Sequence, residues 1–111
     1  MTGVEVMIKK SQIYNLDNDV EYNEGSIISK TLIDKETGTV TFFAFDKDQG
    51  LSEHTAPYDA LLNVLDGEVK ITISGENFNL KKNDMILMPA NEPHAVYALT
   101  KMKMILVMVK S

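Results

Sequence analysis

Apolar and polar residues alternate through much of this chain with a period of two, the spacing that is typical of β-strands. In residues 68–74, EVKITIS, the apolar side chains of Val69, Ile71 and Ile73 are separated by polar ones. Because side chains two positions apart lie on the same face of a strand, this segment is predicted to bury one face and expose the other. Further strands are predicted at residues 26–33, 39–45, 58–65, 78–80, 85–89, 94–99 and 102–110, with a short strand that carries His54.

Short turn segments separate these strands at regular intervals. Asp66-Gly67 lies between two apolar strands, and this pair favours the positive φ angles of a tight hairpin. The middle of the chain has neither a helical period nor a solenoid repeat. Many short strands with regular turns, in a chain of 111 residues, predict one all-β domain built as a sandwich or a barrel.

The last predicted strand is apolar on both faces. Its two rows of apolar side chains are Met104, Leu106 and Met108 on one face, and Ile105, Val107 and Val109 on the other. A strand buried on both sides lies in a barrel that is also covered from outside, by an arm of the chain or by another subunit. This pattern, together with the N-terminal segment, predicts a homodimer.

Residues 1–25 do not follow the strand pattern of the rest. Val4, Met7 and Ile8 form a small apolar group that is able to pair as an edge strand. Asp17 to Glu24 is an acidic, turn-rich stretch that we interpret as a solvated face. We therefore predict an N-terminal arm over residues 1–25, packed on the barrel or on a partner subunit, and a barrel domain over residues 26–111.

Composition and charge exclude several classes of function. The net charge of −5 predicts an acidic surface that repels phosphate backbones, so nucleic acid is not expected as a partner. The chain has no cysteine, which rules out disulfides, thiolate catalysis and zinc–thiolate sites. No apolar run has the length of a membrane span, and the N-terminus lacks the apolar core of a signal peptide. A cytoplasmic protein without membrane contact is the expectation.

Two segments resemble the motifs of small single-domain cupins of the conserved β-barrel (cupin 2) type. The first family motif has a glycine, then His-x-His, a glutamate and a second glycine, and the second motif has Gly-x5-Pro-x-Gly-x2-His-x3-Asn. The positions of the first are filled here by Gly50, His54, Ala56, Ala60 and Gly67, and those of the second by Asn83, Pro89, Asn91, His94 and Ala98. The spacings match from His54 to Gly67 and through the whole second motif, whereas the gap from Gly50 to His54 is two residues short. The resemblance implies a jelly-roll barrel.

The departures from these motifs fall on the metal ligands. In the family, three histidines and a carboxylate converge in the barrel mouth and hold a divalent metal, but here Ala56 and Ala60 occupy the second histidine and glutamate positions. Only His54 and His94 remain of the four implied ligands. Asn83 and Asn91 replace turn glycines more conservatively, because asparagine tolerates a left-handed backbone.

The candidate site is therefore a pair of histidines with apolar neighbours. His54 and His94 are predicted to meet and to bind a ligand or a metal, such as iron, manganese, nickel or zinc. Tyr58 shares the face of Ala60 by alternation, so that it is placed to close over the pocket, and Met88 precedes the Pro89 turn near the mouth. Ser52 is expected on the face of His54, without a Ser-His-Asp arrangement.

Three functions remain open at this point. The first is a small-molecule binding protein that takes an organic acid or a sugar-like ligand, because the two alanines make the pocket roomier and less charged. The second is a metal-dependent isomerase, lyase or dioxygenase with His54 and His94 as ligands and Asp59 as a possible third. Simple alternation turns Asp59 away from the face of Ala60, and a β-bulge near Pro57 is needed to bring it inward. The third is a ligand-sensing module of a regulator.

Overall fold

The computed structural model of the chain describes residues 6, 8–16 and 20–110, and its regular structure is formed by β-strands. Each strand expected from the alternating pattern is present, so the prediction of an all-β fold is confirmed. The strands of the described part are Ile27–Lys35 (β1), Gly38–Phe45 (β2), Gly50–His54 (β3), Asp59–Asp66 (β4), Glu68–Ile73 (β5), Glu76–Lys81 (β6), Met85–Met88 (β7), His94–Ala98 (β8) and Met102–Val109 (β9).

The strands form two antiparallel sheets packed face to face as a jelly roll. One sheet has five strands in the order β1-β2-β9-β4-β7, and the other has four in the order β3-β8-β5-β6. The chain crosses between the two sheets several times, and one crossing is the tight turn between β4 and β5, where Gly67 has a φ of 78°. The main core lies between the sheets, and its fully buried members include Phe45, Leu62, Val69, Ile71, Met102 and Met104.

A second apolar cluster lies on the outer face of the five-stranded sheet. Phe42 and Ala44 of β2 are fully buried there. Leu16, Val20 and Tyr22, from the segment before the barrel, belong to the same cluster and cover this part of the sheet. Part of the outside of the five-stranded sheet is thus covered by the chain's own N-terminal segment, one of the two arrangements expected for a doubly apolar last strand.

Polar contacts fix this segment to the barrel. The hydroxyl of Tyr22 donates to Oδ2 of Asp66 at 2.6 Å, and the ring of Tyr22 lies 5.0 Å from the ammonium nitrogen of Lys103. Gly25 N–H donates to Oδ2 of Asp46 at 2.7 Å. This backbone hydrogen bond, with a second one from Lys47, lowers the pKa of the Asp46 carboxyl because both bonds favour its charged form.

The boundaries differ from the sequence predictions in a few places. β4 begins at Asp59, so Tyr58 lies in the bend before the strand rather than at its start. Ile8 is in no strand, while Val4, Met7 and residues 17–19 of the acidic stretch lie outside the described residues. No helix within the described part of the chain is long and apolar enough to span a membrane.

Two asparagines adopt the left-handed backbone that was expected of them. The φ angle of Asn83 is 75° and that of Asn91 is 67°. Asparagine tolerates this region better than other residues with a side chain, so both turns keep a shape that usually requires glycine. Asn91 lies in the loop that delivers His94, and this turn therefore helps to position the second histidine.

Candidate functional site

The ends of β3 and β8 bring the two histidines of the chain together. His54 is the last residue of β3, His94 is the first residue of β8, and the two are direct partners in the antiparallel ladder. Their ring centroids are 4.3 Å apart and the rings meet edge to face at 67°. The prediction that the histidines meet in space is confirmed.

A shift in strand register determines the direction of His54. Leu51 pairs with Val96 and His54 pairs with His94, so that β3 has one more residue than β8 between these two pairs. Val96 and His94 are both buried on the inner face of the four-stranded sheet. The irregularity therefore brings Leu51 and His54 to the same inner face, although they are three residues apart.

The same shift overturns the expectation for Ser52. Strict alternation places Ser52 on the face of His54, but Ser52 instead lines a groove of about 310 Å³ together with Lys70, Thr72 and Tyr97. These neighbours lie on the outer face of the four-stranded sheet, because their strand positions alternate with the buried Val69, Ile71 and Val96. The prediction that Ser52 and His54 share a face is wrong, since the extra residue in β3 breaks the period of two.

Backbone carbonyls hold both imidazole rings. Nδ1 of His54 lies 2.7 Å from the carbonyl oxygen of Ser52, and Nδ1 of His94 lies 3.2 Å from that of Glu92. A carbonyl oxygen only accepts hydrogen bonds, so each Nδ1 carries the proton. In the neutral rings this leaves the lone pair on Nε2, which is the atom of each ring available to a ligand or a metal.

The two rings differ in exposure. His94 is 7% exposed, whereas His54 lies at the surface. Asn91 N–H donates to the carbonyl oxygen of Ala56 at 2.8 Å, which joins the loop after His54 to the loop before His94. The pair therefore lies at one end of the sandwich, here called the mouth, with one imidazole buried and one facing solvent.

The opposite sheet presents apolar side chains at this end. Ala60 pairs with Met88 on one side and with Met108 on the other, and the loop after Met88 leads directly to His94. Ala60 is 4% exposed and Met88 is 2% exposed, and both belong to the main core cluster. Ala60 occupies the position of the family glutamate, so a methyl group lies there between Met88 and Met108.

Asp59 does not join the histidines. β4 pairs with β7 in regular register from Ala60 onward, and Asp59 remains exposed on the side opposite to the buried Ala60. Its Oδ1 accepts a hydrogen bond from Ala90 N–H at 2.9 Å. The bulge that would turn this carboxylate inward is absent from that part of β4, and Asp59 serves to hold the loop between β7 and β8.

The donor set does not fit a complete site for a divalent metal. Among the described residues, no group of three or more histidine, cysteine, aspartate or glutamate side chains is arranged to hold a metal ion. Catalytic metal sites commonly use three protein ligands and leave one or more positions open. His54 and His94 offer two imidazole nitrogens, and the described residues supply no third histidine, aspartate or glutamate arranged to join them on a metal ion.

The remaining candidate, Tyr58, contacts the end of the last strand. Its ring is half-buried and lies 5.6 Å from the ammonium nitrogen of Lys110. Lys110 follows β9, and its N–H donates to the carbonyl oxygen of Thr37 at 2.8 Å. Tyr58 is thus held beside the mouth by a cation–π contact, on the chain that runs from His54 to Ala60.

Some features of the site have no signal in the sequence. Met108 flanks Ala60 because β9 lies next to β4, and this neighbour relation depends on the order of strands in the sheet. The proton positions on the two rings depend on carbonyl groups two residues before each histidine. The period of the apolar residues places Met108 on one face with Met104. It does not indicate which strands lie next to β9 in the sheet.

Comparison with known families places these motifs in a wider context. A family model for the cupin domain matches residues 41–110, which is more than half of the chain. The matched region begins in β2 and includes both histidines and the strands that carry them. A search of curated protein sequences finds no match.

Solved structures with the same fold include proteins of several bacteria. A conserved protein of unknown function from Streptococcus pyogenes is 32% identical with a TM-score of 0.89, over 100% of this chain and 96% of its own. A cupin 2 conserved barrel domain protein from Leptotrichia buccalis is 47% identical with a TM-score of 0.83, and the match covers 87% of this chain but 47% of that protein. A cupin superfamily protein from Desulfitobacterium hafniense, at 23% identity and a TM-score of 0.86, shows the fold alone.

Proposed function

This chain belongs to the cupin family, and on that premise we propose that it binds a small organic molecule in the barrel mouth, at His54 and His94. The observation that carries the proposal is the pair of rings 4.3 Å apart, each with Nδ1 bound to a backbone carbonyl. Both rings are already fixed before a ligand arrives. Binding a ligand at Nε2 therefore costs little side-chain conformational entropy.

The donors around the mouth indicate the class of ligand. In the neutral tautomer that the carbonyls favour, Nε2 accepts a hydrogen bond from a hydroxyl group. In the protonated ring, Nε2 instead donates a hydrogen bond to a carboxylate. Ala60 and Met88 on the opposite sheet are apolar and almost fully buried, so they bring no charge to this end of the barrel. A small organic acid or a sugar-like molecule combines these properties, with its polar end at the histidines.

Met88 and Tyr58 are proposed to line the same site. The thioether of Met88 adapts its shape at low cost, which suits the wall of a pocket. Tyr58 is proposed to close over the bound molecule from the loop that follows His54, and its contact with Lys110 keeps the ring near the mouth. Neither residue is assigned a catalytic role.

A metal-dependent enzyme is the second candidate function. The arrangement of Nδ1 on a carbonyl with Nε2 free is the one that metal-binding histidines use, and both rings have it. An isomerase, lyase or dioxygenase of this kind would hold iron, manganese, nickel or zinc through His54 and His94. Because the described residues supply no third ligand, such a site needs the substrate or water to complete it.

The setting of the protein is part of the proposal. We propose a cytoplasmic protein that does not bind nucleic acid or membranes, with an arm over residues 1–25 and a barrel over residues 26–111. We also propose that it acts as a homodimer. β9 is apolar on both faces, and among the described residues Leu16, Val20 and Tyr22 cover Phe42 and Ala44 on the outside of the five-stranded sheet.

A thermal-shift screen of small carboxylic acids and neutral sugars tests the proposed binding. A ligand at one hundred times its Kd is expected to raise the free energy of unfolding of the wild type by about 2.7 kcal/mol. His54→Ala and His94→Ala are each expected to lose this shift when compared with their own ligand-free protein, because each removes one Nε2.

Tyr97→Phe is the matched control for this screen. Tyr97 lies on β8 like His94, but its side chain faces outward and donates to Asp48 at 2.7 Å. The ligand-induced shift is expected to survive this substitution. A shift that persists in both histidine variants, or one that disappears in Tyr97→Phe, would show that the ligand binds elsewhere.

A further inference from the structure

A groove opens where an edge of one sheet faces an edge of the other. β6 is an edge strand of the four-stranded sheet, β7 is an edge strand of the five-stranded sheet, and the two strands are not paired with each other. The groove between them, here called the edge groove, has a volume of about 490 Å³. Small-molecule sites commonly have volumes of about 300–1,000 Å³, so the edge groove is large enough for a small ligand.

The wall of the edge groove is apolar. Ile73 of β5, Phe78 of β6 and Ile86 of β7 line it, are half-buried, and pack against the main core. Pro89, just after β7, extends the same wall. A molecule in the groove therefore contacts apolar surface that is continuous with the core, and burial of its own apolar part favours binding.

Glu76 brings a charge to this wall. On β6, Glu76, Phe78 and Leu80 are spaced two residues apart, and Phe78 and Leu80 face the core. Because side chains two apart share a face of a strand, Glu76 lies on the inward-facing side, at the end of that row. Its ladder partner on β5 is Ile73, which also lines the groove. The carboxylate is thus placed beside apolar side chains.

A second carboxylate is held at the same groove by a hydrogen bond. Oε2 of Glu92 accepts a hydrogen bond from the hydroxyl of Ser74 at 2.5 Å. Ser74 N–H donates to the carbonyl oxygen of Pro93 at 2.8 Å, so the turn after β5 and the loop before β8 are joined at two points. The Glu92 side chain is already ordered, which reduces the entropy that it loses when it binds a cation.

The charge of the edge groove selects the sign of its ligand. Glu76 and Glu92 both line it, and none of the described residues that line it is positively charged. Two carboxylates beside an apolar wall complement a cation that carries an apolar body. The ring of Phe78 adds a surface on which a cation is attracted to the π electrons.

The described residues that line the edge groove all belong to the barrel. Val6 and Ile8, from the N-terminal segment, line a different cavity together with Leu32 and Ile33 of β1. β1 and β7 form opposite edges of the five-stranded sheet. The shape and charge of the edge groove therefore follow from β5, β6, β7 and the loop before β8.

From these observations we propose that the edge groove is a second binding site, which takes a small organic ammonium ion with an apolar or aromatic body. The ammonium group binds the carboxylates of Glu76 and Glu92, and the body packs on Ile73, Phe78 and Ile86. Neither histidine is among the described residues that line the groove, so this site is separate from the mouth and goes beyond the proposed function.

An NMR titration with 2-phenylethylammonium tests the proposal. Saturable changes in chemical shift are expected at the amides of Glu76, Phe78 and Ile86. The matched probe is 3-phenylpropionate, which has the same aromatic body and two-carbon linker but the opposite charge. At these three amides it is expected to bind at least about 10-fold more weakly, because the carboxylates of the groove repel it.

Charge-neutral variants test the two carboxylates. Glu76→Gln and Glu92→Gln are each expected to weaken binding of 2-phenylethylammonium about 3-fold, the size of effect that an exposed ion pair has. Glu68→Gln is the matched control, because Glu68 is exposed at the other end of β5, about 17 Å along the strand from Ile73. It removes the same charge beyond the screening length of about 8 Å and is expected to leave the affinity unchanged.

The possible failures are distinguishable. Equal binding of both probes at the three amides, or equal losses in Glu68→Gln and Glu76→Gln, would overturn selection by the two carboxylates. Shifts of these amides that depend on protein concentration without a probe would show that a second copy of the chain fills the groove. Binding that disappears in His54→Ala would place the ammonium ion at the mouth. The thermal-shift screen of acids and sugars decides the proposed function independently of these results.

Discussion

Replacing Gly67 with alanine is expected to lower the free energy of unfolding by about 3 kcal/mol. Gly67 has a φ of 78°, a region that side chains other than glycine adopt at a cost. In addition, a Cβ at this position would collide with the backbone carbonyl oxygen of Lys101 and crowd the hydroxyl of Thr100. That hydroxyl accepts a hydrogen bond from Glu68 N–H at 3.0 Å at the start of β5, so the neighbour cannot move freely.

Urea unfolding of Gly67→Ala beside Gly75→Ala measures this effect. Gly75 has a similar φ of 84°, but nothing lies within 4 Å of the position of its Cβ. Its substitution is expected to cost only the backbone strain, about 1 kcal/mol. Equal losses in the two variants would mean that the contact with Lys101 does not constrain the turn between the two sheets.

Placing a carboxylate at Ala60 is expected to convert the histidine pair into a metal site at the expense of stability. Ala60 is 4% exposed and lies between Met88 and Met108, so Ala60→Glu buries a charge among apolar groups. The metal-free variant is expected to lose about 3 kcal/mol of unfolding free energy. Zinc at one hundred times its Kd is expected to return about 2.7 kcal/mol, because the metal neutralises the buried carboxylate.

Ala60→Gln is the control for this variant. Glutamine has nearly the same volume and the same crowding effect, but it carries no charge and binds zinc poorly. The expected result is a loss of stability that zinc does not restore. If zinc stabilised Ala60→Gln as strongly as Ala60→Glu, or stabilised neither, residue 60 would not face the histidines.

The strand pattern was predictable because alternation reports burial directly. In β5, the side chains of Val69 and Ile71 are fully buried, as the period of two requires. The turns at Gly67, Asn83 and Asn91 could also be predicted from the sequence, since each depends on a local backbone conformation with a known residue preference. These features need only neighbouring residues, and a single sequence contains that information.

The features that the sequence did not predict correctly, or did not predict at all, depend on pairing between residues far apart in the chain. The extra residue in β3 is visible only when its partners in β8 are known, and for this reason Ser52 was assigned to the wrong face. Met108 became a neighbour of Ala60 through the strand order of the five-stranded sheet.

The pairing of His54 with His94 lies between these cases. Each histidine matches a family motif in the sequence, and the motifs imply that the two converge. Whether a carboxylate accompanies them depended on the direction of Asp59. The regular register of β4 with β7 keeps Asp59 outward, where it binds Ala90 N–H.

We propose that the histidine pair binds a small organic ligand rather than a resident metal. The test is to purify the protein without a metal-affinity tag, incubate it with iron, manganese, nickel or zinc, dialyse it, and then measure its metal content by elemental analysis. Because the described residues add no third ligand to the two imidazole donors, we predict a substoichiometric metal content. Stoichiometric metal that is lost in both His54→Ala and His94→Ala would contradict it and establish the metal-dependent alternative.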